Sequence, residues 1–218
     1  MKVKLIGYTQ SHTDVETGGN LKELIAFCAR VSNPSNQNNN LTSDRLIKYL
    51  IQHKHWSPFE MCSATLEIET TRDIARQLLR HRSFSFQEFS QRYADPTQDL
   101  GMETREARLQ DLKNRQNSIV LDESSELNAE WQQKQQDLIA HVQEIYNWAI
   151  SNGIAKEQAR AILPEGLTKS RLYVNGTIRS WIHYIEVRTT EGTQKEHIEL
   201  AYEIAKVISS IFPYKIVE

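Results

Sequence analysis

Apolar and polar positions recur with clear periods over most of the chain. The opening VKLIGYT suits a strand, and after the Gly18-Gly19 break LKELIAFCARV places Leu21, Leu24, Ile25 and Cys28 on one helical face. The Asn-rich tract SNPSNQNNN has loop composition, and Ser43-Asp44 then introduces a second helix through RLIKYLIQH. Beyond HWSPFE, the run CSATLEIET alternates apolar and polar residues as a strand does, and TRDIARQLLRHR returns to helical period. From Ala94 to about Asn128 the chain is polar and weakly patterned, which predicts a long excursion or a lid rather than a second core. Helical spacing resumes from about Glu130 through HVQEIYNWAI and again in KEQARAIL, where Pro164 marks the end. TIRSWIHYIEVR reads as a further helix. The last starts from Thr193, with T-Q-K-E as a capping box and Ile198, Ala201, Ile204, Ile208 and Ile211 spaced along one face. Together these elements predict an α+β fold, one domain over residues 1–218, with several helices around a small antiparallel or mixed sheet.

Composition narrows the function classes. The 218 residues are 39% hydrophobic and 25% charged with a formal net charge of −2, which gives no global pull toward nucleic acid. Any anion site must therefore be a local concentration of arginine. Two cysteines, Cys28 and Cys62, form no CxxC pair, so the expected setting is reducing and cytoplasmic, without a disulfide framework or a zinc knuckle. MKVKLIGYT has no apolar signal-peptide core and no run approaches the length of a membrane span, so neither secretion nor membrane insertion is expected. The triplets NLT and NGT are then chance matches to a glycosylation acceptor. No glycine cluster forms GxGxxG, EGLTKS lacks the glycine and lysine of a P-loop, and His53 with His55 has no HExxH pattern or acidic cluster to complete a metal shell. No metal is expected.

What stands out is RHRSFSFQEFSQRY, from Arg80 to Tyr93. With Arg72 to Arg82 helical, Arg76, Gln77 and Arg80 share one side and Ile74, Ala75, Leu78 and Leu79 the other, with Asp73 placed to pair with Arg76. Arg82 fits this helix only if the helix has already ended. An extended SFSFQEFSQRY puts Glu88, Ser90 and Arg92 on one face, while Phe84, Phe86 and Phe89 read as packing. Downstream lie Arg160 and, in TIRSWIHYIEVR, Arg179, His183 and Glu186 on one face opposite Ile178, Trp181, Ile182 and Ile185, with Arg188 closing the helix. Arginine offers bidentate donors on a charge that does not titrate away and a plane that stacks on rings. In so neutral a chain this pattern points to an anionic, planar, nucleotide-like ligand.

The same residues carry a family resemblance. Arg80-His81-Arg82 followed by seven residues and Ser90 resembles the signature of the flavin-dependent thymidylate synthases. His55-Trp56-Ser57-Pro58-Phe59-Glu60 is similar to the family's His-x-x-Pro-Phe-Glu element, Gln77 to Arg80 to its Gln-x-x-Arg, Arg160 to Pro164 to its Arg-x-x-Leu-Pro, and Arg188 to its closing arginine. The resemblance implies methylation of dUMP to dTMP, with methylenetetrahydrofolate giving the carbon, FAD carrying electrons, NADPH reloading the flavin, and no cysteine nucleophile. It also implies a homotetramer with shared active sites.

By resemblance, the dUMP contacts are Gln77, Arg80, Glu88, Ser90, Gln91, Arg92, Arg160 and Arg188, with Arg188 acting on the uracil edge. The FAD contacts are His55, Ser57, Arg80, His81, Arg82, Glu88, Thr177, Ile178, Arg179 and His183. Four positions depart from the common pattern: Thr177 and His183 stand where asparagines are frequent, Gly192 where a histidine is, and Gln91 replaces a glycine and is expected to narrow the nucleotide pocket. Two other readings of the same residues are a nucleic-acid-binding module that stacks bases on its phenylalanines, and a flavoprotein scaffold without catalysis. Overall acidity argues against the first.

Overall fold

The computed structural model describes residues 1–15, 17, 19–122 and 124–212; Gly18 of the expected Gly-Gly break lies outside them. Along the chain run β1 (Lys2–Tyr8), α1 (Leu21–Ala29), α2 (Ser43–Gln52), β2 (Ser63–Thr71), α3 (Arg72–Leu78), β3 (Phe84–Glu88), α4 (Pro96–Asp99), β4 (Arg108–Gln110), β5 (Ser118–Val120), α5 (Glu126–Ser151), α6 (Lys156–Ala159), β6 (Lys169–Thr177), α7 (Ile178–Arg188) and α8 (Lys195–Ile211). The main sheet has the order β1-β2-β6-β3, every pair antiparallel. This is the α+β architecture with a small antiparallel sheet.

Strand β6 is absent from the expectations above, yet it sits between β2 and β3. Its alternation is real, with Ser170, Leu172, Val174 and Gly176 buried, but Lys169, Arg171, Asn175 and two small polar residues disguise it as loop. One face of the sheet carries Ala64, Leu66, Ile68, Phe84, Leu172 and Val174 into the core, where they meet Trp181, Ile182 and Ile185 of α7 and Leu200, Ile204 and Ile208 of α8. The opposite face is polar and laddered across β2 and β6: Arg171 donates to Glu69 at 2.7 Å, Tyr173 OH to Glu67 at 2.7 Å, and Asn175 to Thr65 at 2.8 Å. Each of these is a directly opposed cross-strand pair, so they also hold the register.

The 94–128 segment has structure of its own, the short α4 and the β4–β5 hairpin, before α5 begins. Helix α8 starts at Lys195 with Gln194 as N-cap and no side-chain cap, not in the capping box expected from Thr193: the Glu196 carboxylate that would close that box is taken by Arg108 and by the Gln194 side chain. Among the described residues no helix is long and apolar enough to cross a membrane.

Candidate active site

The expected site residues fall into three groups. The first forms where α3 ends and α7 ends. Helix α3 stops at Leu78, so Arg82 is free of the helical geometry that made it awkward, and Arg80 and Arg82 both stand exposed beside half-buried His81. Arg188, the last residue of α7, donates from Nε to His81 Nε2 at 2.8 Å. An imidazole nitrogen that accepts carries no proton, so His81 is neutral with its proton on Nδ1. Burial first, then the Arg188 and His183 charges, lower its pKa to about 4. The His81 ring stands edge-on to Tyr184 at 4.9 Å, which fixes its plane. Gln77 completes this group: its Nε2 donates to Gln194 Oε1 at 2.8 Å and its Oε1 faces His197 Nδ1 at 3.1 Å.

The second group follows β3. Glu88, at the strand's end, accepts from Ser170 Oγ at 2.8 Å, from Arg76 at 3.1 Å and from Arg72 at 3.5 Å. Arg76 reaches Glu165 as well, at 3.2 Å, while Asp73 pairs with Arg105 at 2.7 Å. This corrects the expected Asp73–Arg76 pair: the fold supplies each with a better placed partner than its helical neighbour. The strand also ends sooner than SFSFQEFSQRY suggested. After Phe89 the chain turns, with the amides of Tyr93 and Ala94 both donating to Ser90 O at 3.1 Å. Ser90 and Arg92 therefore do not continue a strand face from Glu88. Ser90 Oγ accepts from the Arg92 amide at 3.3 Å, Arg92 pairs with Glu157 at 3.1 Å, and Arg160 donates to the Glu157 carbonyl at 3.4 Å. Gln91 is buried, and its Nε2 has no hydrogen-bond partner among the described residues.

The third group surrounds the start of α7. Thr177 caps the helix by accepting from the Ser180 amide, and Arg179 pairs with Glu60. Ile178 is wholly buried with its amide donating to Cys62 O at 2.9 Å, so its side chain belongs to the core. Exposed His183 and Arg179 line a cavity of about 230 Å³ with Lys54, Trp56 and Glu186. His55 is exposed on the loop before Trp56, and Ser57 is exposed as the first residue of a 3₁₀ turn, Ser57–Glu60.

With this geometry in hand, comparison with known proteins is direct. A family model described as thymidylate synthase complementing protein matches residues 15–214. A probable flavin-dependent thymidylate synthase of Paramecium bursaria Chlorella virus 1 is 52% identical over 217 residues, covering 98% of this chain and 96% of that protein. The chain belongs to the flavin-dependent thymidylate synthases. The flavin-dependent thymidylate synthase of Synechocystis sp. is 51% identical over 191 residues, 87% of this chain and 85% of its own. Among solved structures, a UMP/dUMP methylase, PolB from Streptomyces cacaoi bound with 5-Br dUMP, matches with a TM-score of 0.77 at 25% identity, over 96% of this chain and 90% of that one.

Neither cysteine of this synthase is prepared as a nucleophile. Cys62 is buried and its thiol is pushed up to about 12 by burial and then by Cys28, whose own thiol is raised by burial. Sequence reasoning missed Tyr184, His197, Gln194, Glu196, Arg105 and Arg108, all of which touch Gln77 or its supports. No spacing rule links them. His197 sits on the apolar face of α8 and reads there as a core histidine.

That burial has a consequence for stability. Burial, then Arg188 and His81, lower the pKa of His197 to about 3. Unfolded, His197 and His81 both titrate near 6.5; folded, they stay neutral down to about 3 and 4. Between those limits only the unfolded chain takes up the protons, so stability is full above the ordinary histidine pKa and falls as pH drops. The slope reaches about 1.4 kcal/mol per pH unit for each histidine. Denaturant midpoints measured from about pH 7.5 to about pH 5 should fall accordingly, and less steeply in His197→Gln; equal slopes would contradict the assignment.

Proposed function

We propose that this synthase converts dUMP to dTMP, taking the carbon from methylenetetrahydrofolate, with NADPH as reductant and residues 1–218 acting as one domain in a reducing, cytoplasmic setting. The observation that carries the reading is the Arg188–His81 pair. Held at Nε by a neutral acceptor, the Arg188 guanidinium keeps both Nη groups for a ligand, and among the described residues neither group has a partner. A fixed cation at the uracil edge favours ionisation at N3 and so makes C5 a better nucleophile. Gln77 and Arg80 join it in holding the nucleotide, and Glu88, Ser90, Gln91, Arg92 and Arg160 take the remainder. The buried Gln91 amide, with hydrogens to spare, supports that reading.

The residues present also fit FAD. Arg80 and Arg82 are exposed and, among the described residues, make no side-chain ion pair, which leaves two free forks for a pyrophosphate. His55, Ser57, His81, Glu88, Thr177, Arg179 and His183 would complete the holding set; Ile178, with its amide on Cys62 and its side chain in the core, would contribute only by fixing where α7 starts. When bound, FAD supplies the reducing electrons; this chain's own part is to hold, orient and polarise.

The assembly we infer is a homotetramer with sites shared between copies. Helix α5 supports it: Leu127, Trp131, Leu138, Ile145 and Trp148 stay exposed, Trp148 at 60%, and helical geometry places them along one stripe. The direct test combines protein, dUMP, methylenetetrahydrofolate, FAD and NADPH and looks for dTMP. Bound flavin without product would favour the idle scaffold, and a preparation that remains colourless with FAD supplied would count against the flavin reading. Ser90→Ala is expected to retain turnover, because among the described residues no base contacts its hydroxyl. Loss of one hydrogen bond to a charged ligand should raise KM for dUMP by about tenfold. Complete inactivity with dUMP still bound would restore a covalent role for Ser90.

A further inference from the structure

Behind Gln77 runs a continuous chain of polar side chains outside the nucleotide and flavin sets named above. Its far end is Glu196, which accepts from Arg108, lies 3.8 Å from Arg105 and accepts from Gln194 Nε2 at 2.9 Å. Burial alone would raise the Glu196 carboxyl, but the hydrogen bonds from Arg108 and Gln194 and the charge of Arg105 outweigh it and hold the group below the usual carboxylate range. A carboxylate only accepts. Gln194 must therefore turn its amino end to Glu196 and its oxygen to Gln77, 2.8 Å away. Gln77 in turn must present its amino end there and its oxygen to His197 Nδ1 at 3.1 Å. His197 then donates from Nδ1 and accepts at Nε2, so the Tyr184 hydroxyl, 3.0 Å away, has to donate to it. Tyr184 and His197 are both fully buried, and burial raises the Tyr184 pKa, so the phenol keeps the proton this arrangement requires.

The whole chain thus has one direction, and its origin is the polar excursion that the sequence left without a function. Arg105 and Arg108 both lie in it. Arg105 is itself anchored: its guanidinium donates to Thr71 at 2.6 Å and Asp73 at 2.7 Å, and its main chain is held by Gln132 and Gln135 of α5 at 2.8 to 2.9 Å.

We propose that Glu196, clamped by Arg105 and Arg108, is a positioning residue for Gln77: it sets the direction of the chain and so decides which end of the Gln77 amide donates and which accepts toward the nucleotide. The proposal rests on Gln77 as a dUMP contact. With one hydrogen and one lone pair already committed, Gln77 offers a ligand one donor and one acceptor that cannot interchange. Reversing the order would require a protonated carboxyl in contact with two arginines.

Two measurements test this. Imidazole nitrogen NMR of the full-length protein, without dUMP, should show His197 as the neutral Nδ1-protonated tautomer; an Nε2-protonated or doubly protonated ring overturns the direction. Glu196→Gln keeps the shape but lets the terminal group donate or accept, so His197 should lose its single tautomer. KM for dUMP should rise about tenfold with kcat little changed, the signature of lost ground-state and transition-state binding together. An unchanged KM overturns the positioning role even where the wild-type tautomer is as expected. Failure of the wild type to bind dUMP overturns the nucleotide reading instead, and the NMR result distinguishes the two failures.

Discussion

Arg188→Ala is expected to lower dTMP formation by about 10²–10³-fold, the loss typical of removing a preorganised charge from a developing anion, while visible flavin absorbance is retained. The asymmetry follows from the position of the side chain. Arg188 closes α7 and, among the described residues, its side chain spends only Nε on the protein, through His81; of the flavin candidates His81 loses this one donor, while Arg80 and Arg82 do not depend on Arg188 for a partner. The substitution also removes the cation that helps to lower the His81 pKa to about 4. His81 should then take up a proton at higher pH, moving toward its ordinary value, and the acid limb of the activity profile should move with it. Arg188→Lys retains charge without the fork and should recover only part of the loss. Concurrent loss of flavin in Arg188→Ala would refute the assignment of this residue to the uracil.

The largest expected loss of stability lies one layer below the site, in Gly176→Ala. Gly176 pairs with Phe84 across β6 and β3, and a Cβ at this position would fall 2.2 Å from Phe84 Cδ1 and 2.4 Å from Cε1. The ring cannot step aside. It is 4.4 Å from Trp181 and 6.0 Å from Tyr184 by ring centroid, and Trp181 is itself fixed by its Nε1 donating to Ala64 O at 3.1 Å. Overpacking of this kind costs about 3 kcal/mol at the upper end of its usual range, which in a chain of this length is a fall in Tm of roughly 6–12 °C. Because Phe84 also touches His81, activity should fall further than stability alone requires. A double-mutant cycle with Phe84→Leu should show coupling, since the smaller, non-planar side chain vacates the space the new methyl needs; strict additivity would place the cost elsewhere.

This glycine also explains the phenylalanines of RHRSFSFQEF. Phe84 is buried against Gly176 and Trp181, and Phe86 packs on the same core, so they anchor the strand that presents Glu88 and hold the turn carrying Arg80 to Arg82. Packing, rather than stacking on a ligand, is what the sequence reading expected of these two.

The sequence alone determined whatever depends on local period and on residue chemistry. Strands β1 and β2 and helices α1, α2, α3, α7 and α8 were legible because burial imposes its period on neighbouring positions. The ordered motifs from His55 to Arg188 were legible because they resemble those of the family to which the chain belongs. What the tertiary structure decided was partnership. Asp73 has Arg76 three residues away and pairs with Arg105 instead; Glu88 gathers Arg72 and Arg76 from α3 and Ser170 from β6; Arg188 at the end of α7 finds His81 just beyond the end of α3. Charges and amides choose among many possible partners by distances of a few tenths of an ångström, and those distances are set by how sheet and helices pack. For the same reason Arg105 and Arg108 showed no pattern in a polar stretch, yet the fold brings them against the one carboxylate that orders the side chains behind Gln77.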